Sequence, residues 1–172
     1  GDPIIRKALH EVGANEVGSD LVSECITKMR QINNEMNGVG ISANQVGYDL
    51  RISLMHSRAT KFRPDQTDLG EVVMINPRIT STSENSDFMW EGCLSVAEAG
   101  IFAKVRRYKW VRVEYLDANG ELQQKKFDGM YGHIAQHEID HLDGCIFLDK
   151  ELDAQSYMSA SEYIKMRSAE KK

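Results

Sequence analysis

The sequence predicts an α+β fold in which antiparallel sheets pack around a central helix, with one further helix towards each terminus. Three observations lead there. The strand-like runs are short and come ahead of a single helical segment instead of alternating with helices. Asp117-Ala118-Asn119-Gly120 separates two of these runs as a hairpin turn would. The helical period is clearest in residues 21–36, ahead of all the strands.

Each element has its own signal. Leu21, Val22, Cys25, Ile26, Met29, Ile32 and Met36 recur at helical spacing, Ser19 or Asp20 can cap that helix, and Gly38 follows its end. Residues 38–45 read as a Gly-rich turn running into a polar tip, and residues 52–55 as a strand. The polar stretch 57–70, with Pro64, is expected to be a mobile loop. Residues 72–75 and 78–82 read as strands broken at Pro77. Strands are expected at 101–105, 110–116 and 122–127. Asp128 can cap the helix that follows, and Gly144 ends it. A last helix is expected over about 154–167.

A chain of 172 residues fits one domain, taken as 1–172. At 41% hydrophobic and 27% charged residues it has an ordinary globular composition. A net charge of -5 argues against a polyanion binder, so direct recognition of nucleic acid is not expected. No apolar run approaches the ~20 residues of a membrane span. The first residues, Gly1-Asp2-Pro3-Ile4-Ile5, resemble neither a secretory signal nor an Arg-rich transit peptide. Three widely spaced cysteines, Cys25, Cys93 and Cys145, do not suggest a disulfide framework, so a reducing compartment is expected. Cys25 and Cys145 are expected in the core.

The chemistry concentrates in His137-Glu138-Ile139-Asp140-His141. Histidines four apart on a helix share a face and can hold one metal ion, and the glutamate between them can act as general base. The central helix is therefore expected to bind metal. A catalytic site of this kind needs a third protein ligand and an open position. The downstream candidates Asp143, Asp149 and Glu151 lie at no clear ligand spacing. Cys93, in Glu91-Gly92-Cys93-Leu94-Ser95, is the better candidate.

Three motifs in order then resemble the peptide deformylase family. GVGISANQ at 38–45 matches a Gly-x-Gly-x-Ala-Ala-x-Gln pattern, EGCLS stands at 91–95, and QHEIDHLDG stands at 136–144. The similarity runs from Asp2 to Asp149. It implies a metal-dependent hydrolase that removes the formyl group from the N-terminal formyl-methionine of new proteins, by attack of a metal-bound hydroxide on the formyl carbonyl. It implies Cys93, His137 and His141 as metal ligands and Glu138 as general acid/base. Gln45 and the backbone N–H of Leu94 become the oxyanion donors. One divalent ion per chain is implied, iron(II) as the native one, with zinc, nickel or cobalt able to take the same ligands.

The resemblance also implies a substrate pocket. Met89, Met130 and Ile134 align with its apolar positions, Glu91 and Gly92 border it, and Val39 and Gly40 offer backbone groups to an extended peptide. His133 stands where the family usually has an apolar residue. It is expected to edge the pocket and change its polarity; an interior histidine without a binding role is the alternative. A metal role for it is disfavoured, because His133 and His141 lie roughly 12 Å apart along the helix at 1.5 Å per residue. Ser42, where Ala is usual, is expected to be a tolerated small residue. Glu91 is expected to pair with Arg107. The stretch 97–104 is longer than usual, and Arg106 replaces a Pro.

The implied partners are formyl-methionyl nascent peptides and, through a C-terminal helix bearing Lys165, Arg167, Lys171 and Lys172, the ribosome. The expected location is cytoplasmic and bacterial-type, or organellar if a leader has been trimmed. Two other readings compete. A metallopeptidase rests on the His-Glu-His helix alone, and EGCLS argues against it. A non-enzymatic metal-binding module would have no need of Glu138 as a base.

Overall fold

Helix α1 (Asp20–Glu35) forms where the apolar stripe predicts it, and the Ser19 side chain accepts from the N–H of Val22 at its start. Val22, Cys25, Ile26 and Met29 line its buried face. Burying a Val, Ile or Met side chain contributes roughly 1.5–3 kcal/mol, so this stripe is what docks the helix. Burial pushes the Cys25 thiol up to about 12, which suits an inert core residue. The computed structural model of the chain describes residues 2–60, 66–96 and 100–169.

Among the described residues the strands are β1 (Gly40–Ser42), β2 (Ile52–His56), β3 (Glu71–Thr82), β4 (Ser86–Gly92), β5 (Ile101–Tyr108), β6 (Trp110–Leu116), β7 (Leu122–Asp128) and β8 (Met158–Ser159). They form two antiparallel sheets, one ordered β1-β2-β3-β6-β7 and the other β4-β5-β8. Helix α2 (Gly129–Leu142) packs against β1, β2, β6 and β7 of the first sheet and β5 of the second. Ten of its 14 residues are buried, which is consistent with the central helix the sequence predicts. Helix α3 (Ala160–Ala169) closes the described chain.

The core divides along α2. Ile41, Ile52, Leu54 and Ile75 pack with the α1 stripe and Leu142. Tyr131, Ile134, Ala135 and Ile139 pack on Met55, Met74, Val111, Val113 and Phe127. Ala103, Val105 and Phe147 pack beside Cys93.

Several expectations change. Pro77 does not break a strand: β3 runs through it, and the β3–β6 ladder shifts register between Ile75 and Arg78. A bulge is where a residue without an N–H can sit in a sheet. Asn76 there has φ +53°, and its side chain bonds both the N–H and the C=O of Val12 at 2.8 Å. Residues 38–45 are not only a turn, because Gly40–Ser42 pair with β2. Helix α3 begins at Ala160, not near 154, because Met158 and Ser159 pair with Phe102 and Ile101. Asp128 stands at the α2 N-cap position but its side chain makes no capping bond. Cys145 is only half-buried, and Phe147 fills that part of the core. The loop expected over 57–70 and the extended stretch 97–104 lie partly outside the described residues, as do Lys171 and Lys172.

The C-terminal end of α2 is fastened closely. Leu9 N–H donates to Leu142 O at 2.9 Å. Arg51 Nη1 reaches Leu142 O at 3.4 Å and Asp143 Oδ1 at 2.6 Å, while its Nε and Nη2 donate to Pro77 O at 3.3 and 3.1 Å. Leu9 and Arg51 together satisfy the Leu142 carbonyl, one of those a helix end leaves open. Gly144 then turns the chain at φ +75°, and a Cβ there would meet Arg6 O at 2.7 Å. Gly144→Ala should lower unfolding stability in urea by about 1–3 kcal/mol; an unchanged midpoint would contradict the constraint.

Candidate metal centre

Helix α2 presents His137 and His141 on consecutive turns, and Cys93 follows directly after β4. One ligand atom from each of Cys93, His137 and His141 lies within 4.8 Å of the others. Cys93 Sγ is 3.1 Å from His141 Nε2, and Ser95 N–H donates to the sulfur at 3.4 Å. The two imidazoles stand nearly perpendicular, with an interplanar angle of 79°.

Behind the cluster, Glu91 is buried at 2% exposure and each of its oxygens accepts two bonds. Oε1 receives Arg107 Nε at 2.5 Å and His133 Nε2 at 2.7 Å; Oε2 receives Arg107 Nη2 at 3.0 Å and His137 Nδ1 at 2.7 Å. The expected Glu91–Arg107 pair is therefore present, and Arg107 Nη1 also donates to Asp140 Oδ2 at 2.6 Å. Burial alone would raise the pKa of Glu91, but the charge on His137 and the bonds from His133 and His137, with Arg107, hold it well below the usual range. Since a carboxylate only accepts, His137 carries its proton on Nδ1 and turns Nε2 towards the cluster.

The three side chains fit a divalent cation. A thiolate and two imidazoles form a donor set suited to iron, zinc, nickel or cobalt, and three protein ligands leave a tetrahedral site one open position. Burial, then the charge of His137, lowers the pKa of His141 to about 3, so its metal-facing nitrogen keeps a lone pair at neutral pH. Burial opposes protonation of His137, yet the charge of Glu91 and the bond to Cys93 raise its pKa well above the ordinary value. His137 would have to give up its Nε2 proton, keeping the Nδ1 proton directed at Glu91, to serve as a ligand.

Glu138 faces the same pocket from the next position of α2, at 3% exposure. Burial pushes its carboxyl up to about 7, against the pull of His137 and Ser42. Its Oε1 lies against the bare Cα of Gly40, where a Cβ would come within 2.4 Å. Gln45 follows β1 on a short 3-10 turn; its Oε1 accepts from Ser42 N–H at 2.8 Å and its Nε2 donates to Ser95 Oγ at 3.0 Å. Leu94, Val39, Gly40, Gly92, Met130, His133 and Ile134 all line the pocket beside these groups. Met89 does not line it: on β4 it pairs with Val105 and is half-buried. His133 serves two purposes, edging the pocket and holding Glu91. Burial lowers its pKa, against the pull of Glu91.

Sequence reasoning misses Asp140, and it reads Ser42 as a tolerated small residue although its hydroxyl bonds Glu138. Asp140 lies one turn beyond His137 on the Arg107 side, a signal that helical spacing could have supplied. Ser42 had no such signal, because its partner Glu138 is 96 residues away in sequence.

A buried carboxylate beside a thiolate–imidazole cluster at the mouth of a pocket defines the class of metal-dependent hydrolases. The sequence matches the polypeptide deformylase family over residues 1–156. It is 32% identical over 169 residues to peptide deformylase 2 of a Nostoc species, covering 95% of this chain and 89% of that protein. It is 32% identical over 159 residues to the chloroplastic peptide deformylase 1A of Solanum lycopersicum; this covers 87% of the chain but only 57% of that longer protein. The fold superposes with a TM-score of 0.82 on the Met-Ala-Ser-bound class I type b peptide deformylase of Acinetobacter baumannii, at 36% identity over 88% of this chain and 94% of that one. The chain belongs to the polypeptide deformylase family, metal-dependent hydrolases acting on N-terminal formyl-methionine.

Replacing Glu91 by Gln removes the charge that sets the His137 tautomer. Competition with a chromogenic chelator should show the affinity for zinc falling about 10–100-fold, and equal affinity would count against the role of Glu91.

Proposed function

We propose that this chain removes formyl groups from nascent formyl-methionyl peptides, releasing formate, with Cys93, His137 and His141 holding one divalent cation and Glu138 as the general acid/base. The observation that carries this reading is Glu138: a carboxylate next to a ligand-bearing histidine, buried, with one oxygen facing the pocket. Iron(II) is the proposed native ion, and zinc, nickel or cobalt suit the same donors. When bound, the cation acts as a Lewis acid on the formyl oxygen and lowers the pKa of water.

The chain's own groups do the rest. Glu138 accepts the proton of the attacking water and delivers it to the departing amine nitrogen, an effect typically worth about 10²–10⁴ in rate. Gln45 is clamped through its oxygen to Ser42 N–H, which turns its NH₂ into the site. With the N–H of Leu94 it steadies the developing oxyanion, each donor worth roughly 3–4 kcal/mol. Met130 and Ile134 take the methionine side chain, and His133 adds one polar edge to that wall. Gly92 and Glu91 border the site, and the backbone of Gly40 at the start of β1, with Val39 just before it, is offered to the peptide as an added strand.

Among the described residues no helix is long and apolar enough to cross a membrane. The proposed place of action is where formylated chains emerge, the bacterial cytoplasm or an organelle. Ribosome contact through α3 is part of the proposal, supported by the exposed Lys165 on that helix. Tyr163 of α3 stacks on Phe102 at 4.2 Å, and Phe102 lines the pocket. Deleting the C-terminus would therefore disturb the pocket as well as docking, and charge reversal is the cleaner test.

Glu138→Ala, loaded with cobalt, should keep its metal and lose deformylation of formyl-Met-Ala-Ser by at least about 10²-fold; near-normal turnover would remove Glu138 as the base. The variant carrying Lys165→Glu and Arg167→Glu should pellet less with ribosomes at moderate salt and keep its turnover of the free peptide. Equal pelleting would sink the docking surface.

A further inference from the structure

We infer that Ser42 is a positioning residue for the general base, an inference that rests on the role proposed for Glu138. Ser42 Oγ lies 2.8 Å from Glu138 Oε2 and 3.0 Å from the Glu138 main-chain carbonyl oxygen. Ser42 is fully buried at 0% exposure, and Glu138 is at 3%. An ionised carboxylate is acceptor-only, so the hydroxyl donates to it, and a donor prefers a charged oxygen to a neutral one. The last torsion of a glutamate is broad and roughly two-fold. Holding Oε2 therefore decides where Oε1 points. Oε1 rests against the Cα of Gly40, where even a methyl group would come within 2.4 Å, and faces the pocket shared with Gln45, Cys93 and His137.

The same residue orients Gln45 by a separate group. Its main-chain N–H donates to Gln45 Oε1 at 2.8 Å. Ser42 thus ties the base and an oxyanion donor to one short strand, the first through its side chain and the second through its backbone. Changing Ser42 to Ala removes only the first tie. The hydroxyl gives the buried carboxylate a donor that an alanine cannot supply.

The test uses the cobalt-loaded enzyme and formyl-Met-Ala-Ser. Ser42→Ala should lower kcat about 10-fold or more, with KM and metal content within twofold of the parent. Ser42→Cys, close in size and a weaker donor, should fall between them. In a Glu138→Gln background, Ser42→Ala should change the residual rate by less than twofold, because the hydroxyl acts through the carboxylate. An unchanged kcat in Ser42→Ala, or an equal loss in both backgrounds, would overturn the positioning role. If Glu138→Gln itself kept the parent's rate, the reading of Glu138 as base would fail instead, so the two failures are distinguishable.

Discussion

The buried pair of Glu91 and Arg107 is the constraint on which the site depends. A buried charge is tolerated only when it is paired and its remaining hydrogen-bonding capacity is filled, and removing one partner typically costs about 3–5 kcal/mol. Here the pair joins β4 to β5, and Arg107 continues to Asp140 while Glu91 continues to His133 and His137. Three positions of α2, at intervals of four and three residues, are therefore held by one ion pair. They mark a polar stripe along a helix that is otherwise wrapped in apolar side chains. Rotating the helix would strand all of these groups, so the facing of His137 and His141 follows from the pair.

The same arrangement divides the labour between two carboxylates. Glu91 is surrounded by donors and cations and stays ionised in spite of its burial. Glu138 has one hydroxyl and an apolar wall that includes Ile134, and burial raises it to about 7. Environment, not residue type, sets these two glutamates apart, which suits the proton-carrying role proposed for Glu138. Ser42 stands at the boundary, supplying Glu138 with enough polarity to hold its direction.

Much of this was legible in the sequence because its causes are local or repeat a strong pattern. The α1 stripe, the β6–β7 hairpin and the paired histidines all follow from spacing alone. Cys93 stands out as a candidate ligand through its Gly-flanked motif. What stayed hidden depends on contacts between distant segments. β4, with Asp87, Phe88, Met89, Trp90 and Glu91 in succession, has no alternation that marks a strand, and it forms because β5 pairs along its length. Pro77 reads as a break because its compensation comes from distant partners, Val12 bonded to Asn76 and Arg51 bonded to the Pro77 carbonyl. The family resemblance implies a pocket position for Met89, but its register on β4 sets it opposite Val105. The roles of Ser42 and His133 required knowing which carboxylate each would meet.

Arg51 carries a consequence of its own. One guanidinium serves both the irregular stretch of β3 at Pro77 and the last turn of α2, two places with no direct sequence relation. Their substitutions are therefore epistatic. A change that flattened β3 would free the donors directed at Pro77, and a change at Asp143 would alter what holds the same side chain in place. Neither site can drift independently, and the backbone that aims the histidine-bearing helix inherits its tolerance to mutation from a residue that does not line the pocket.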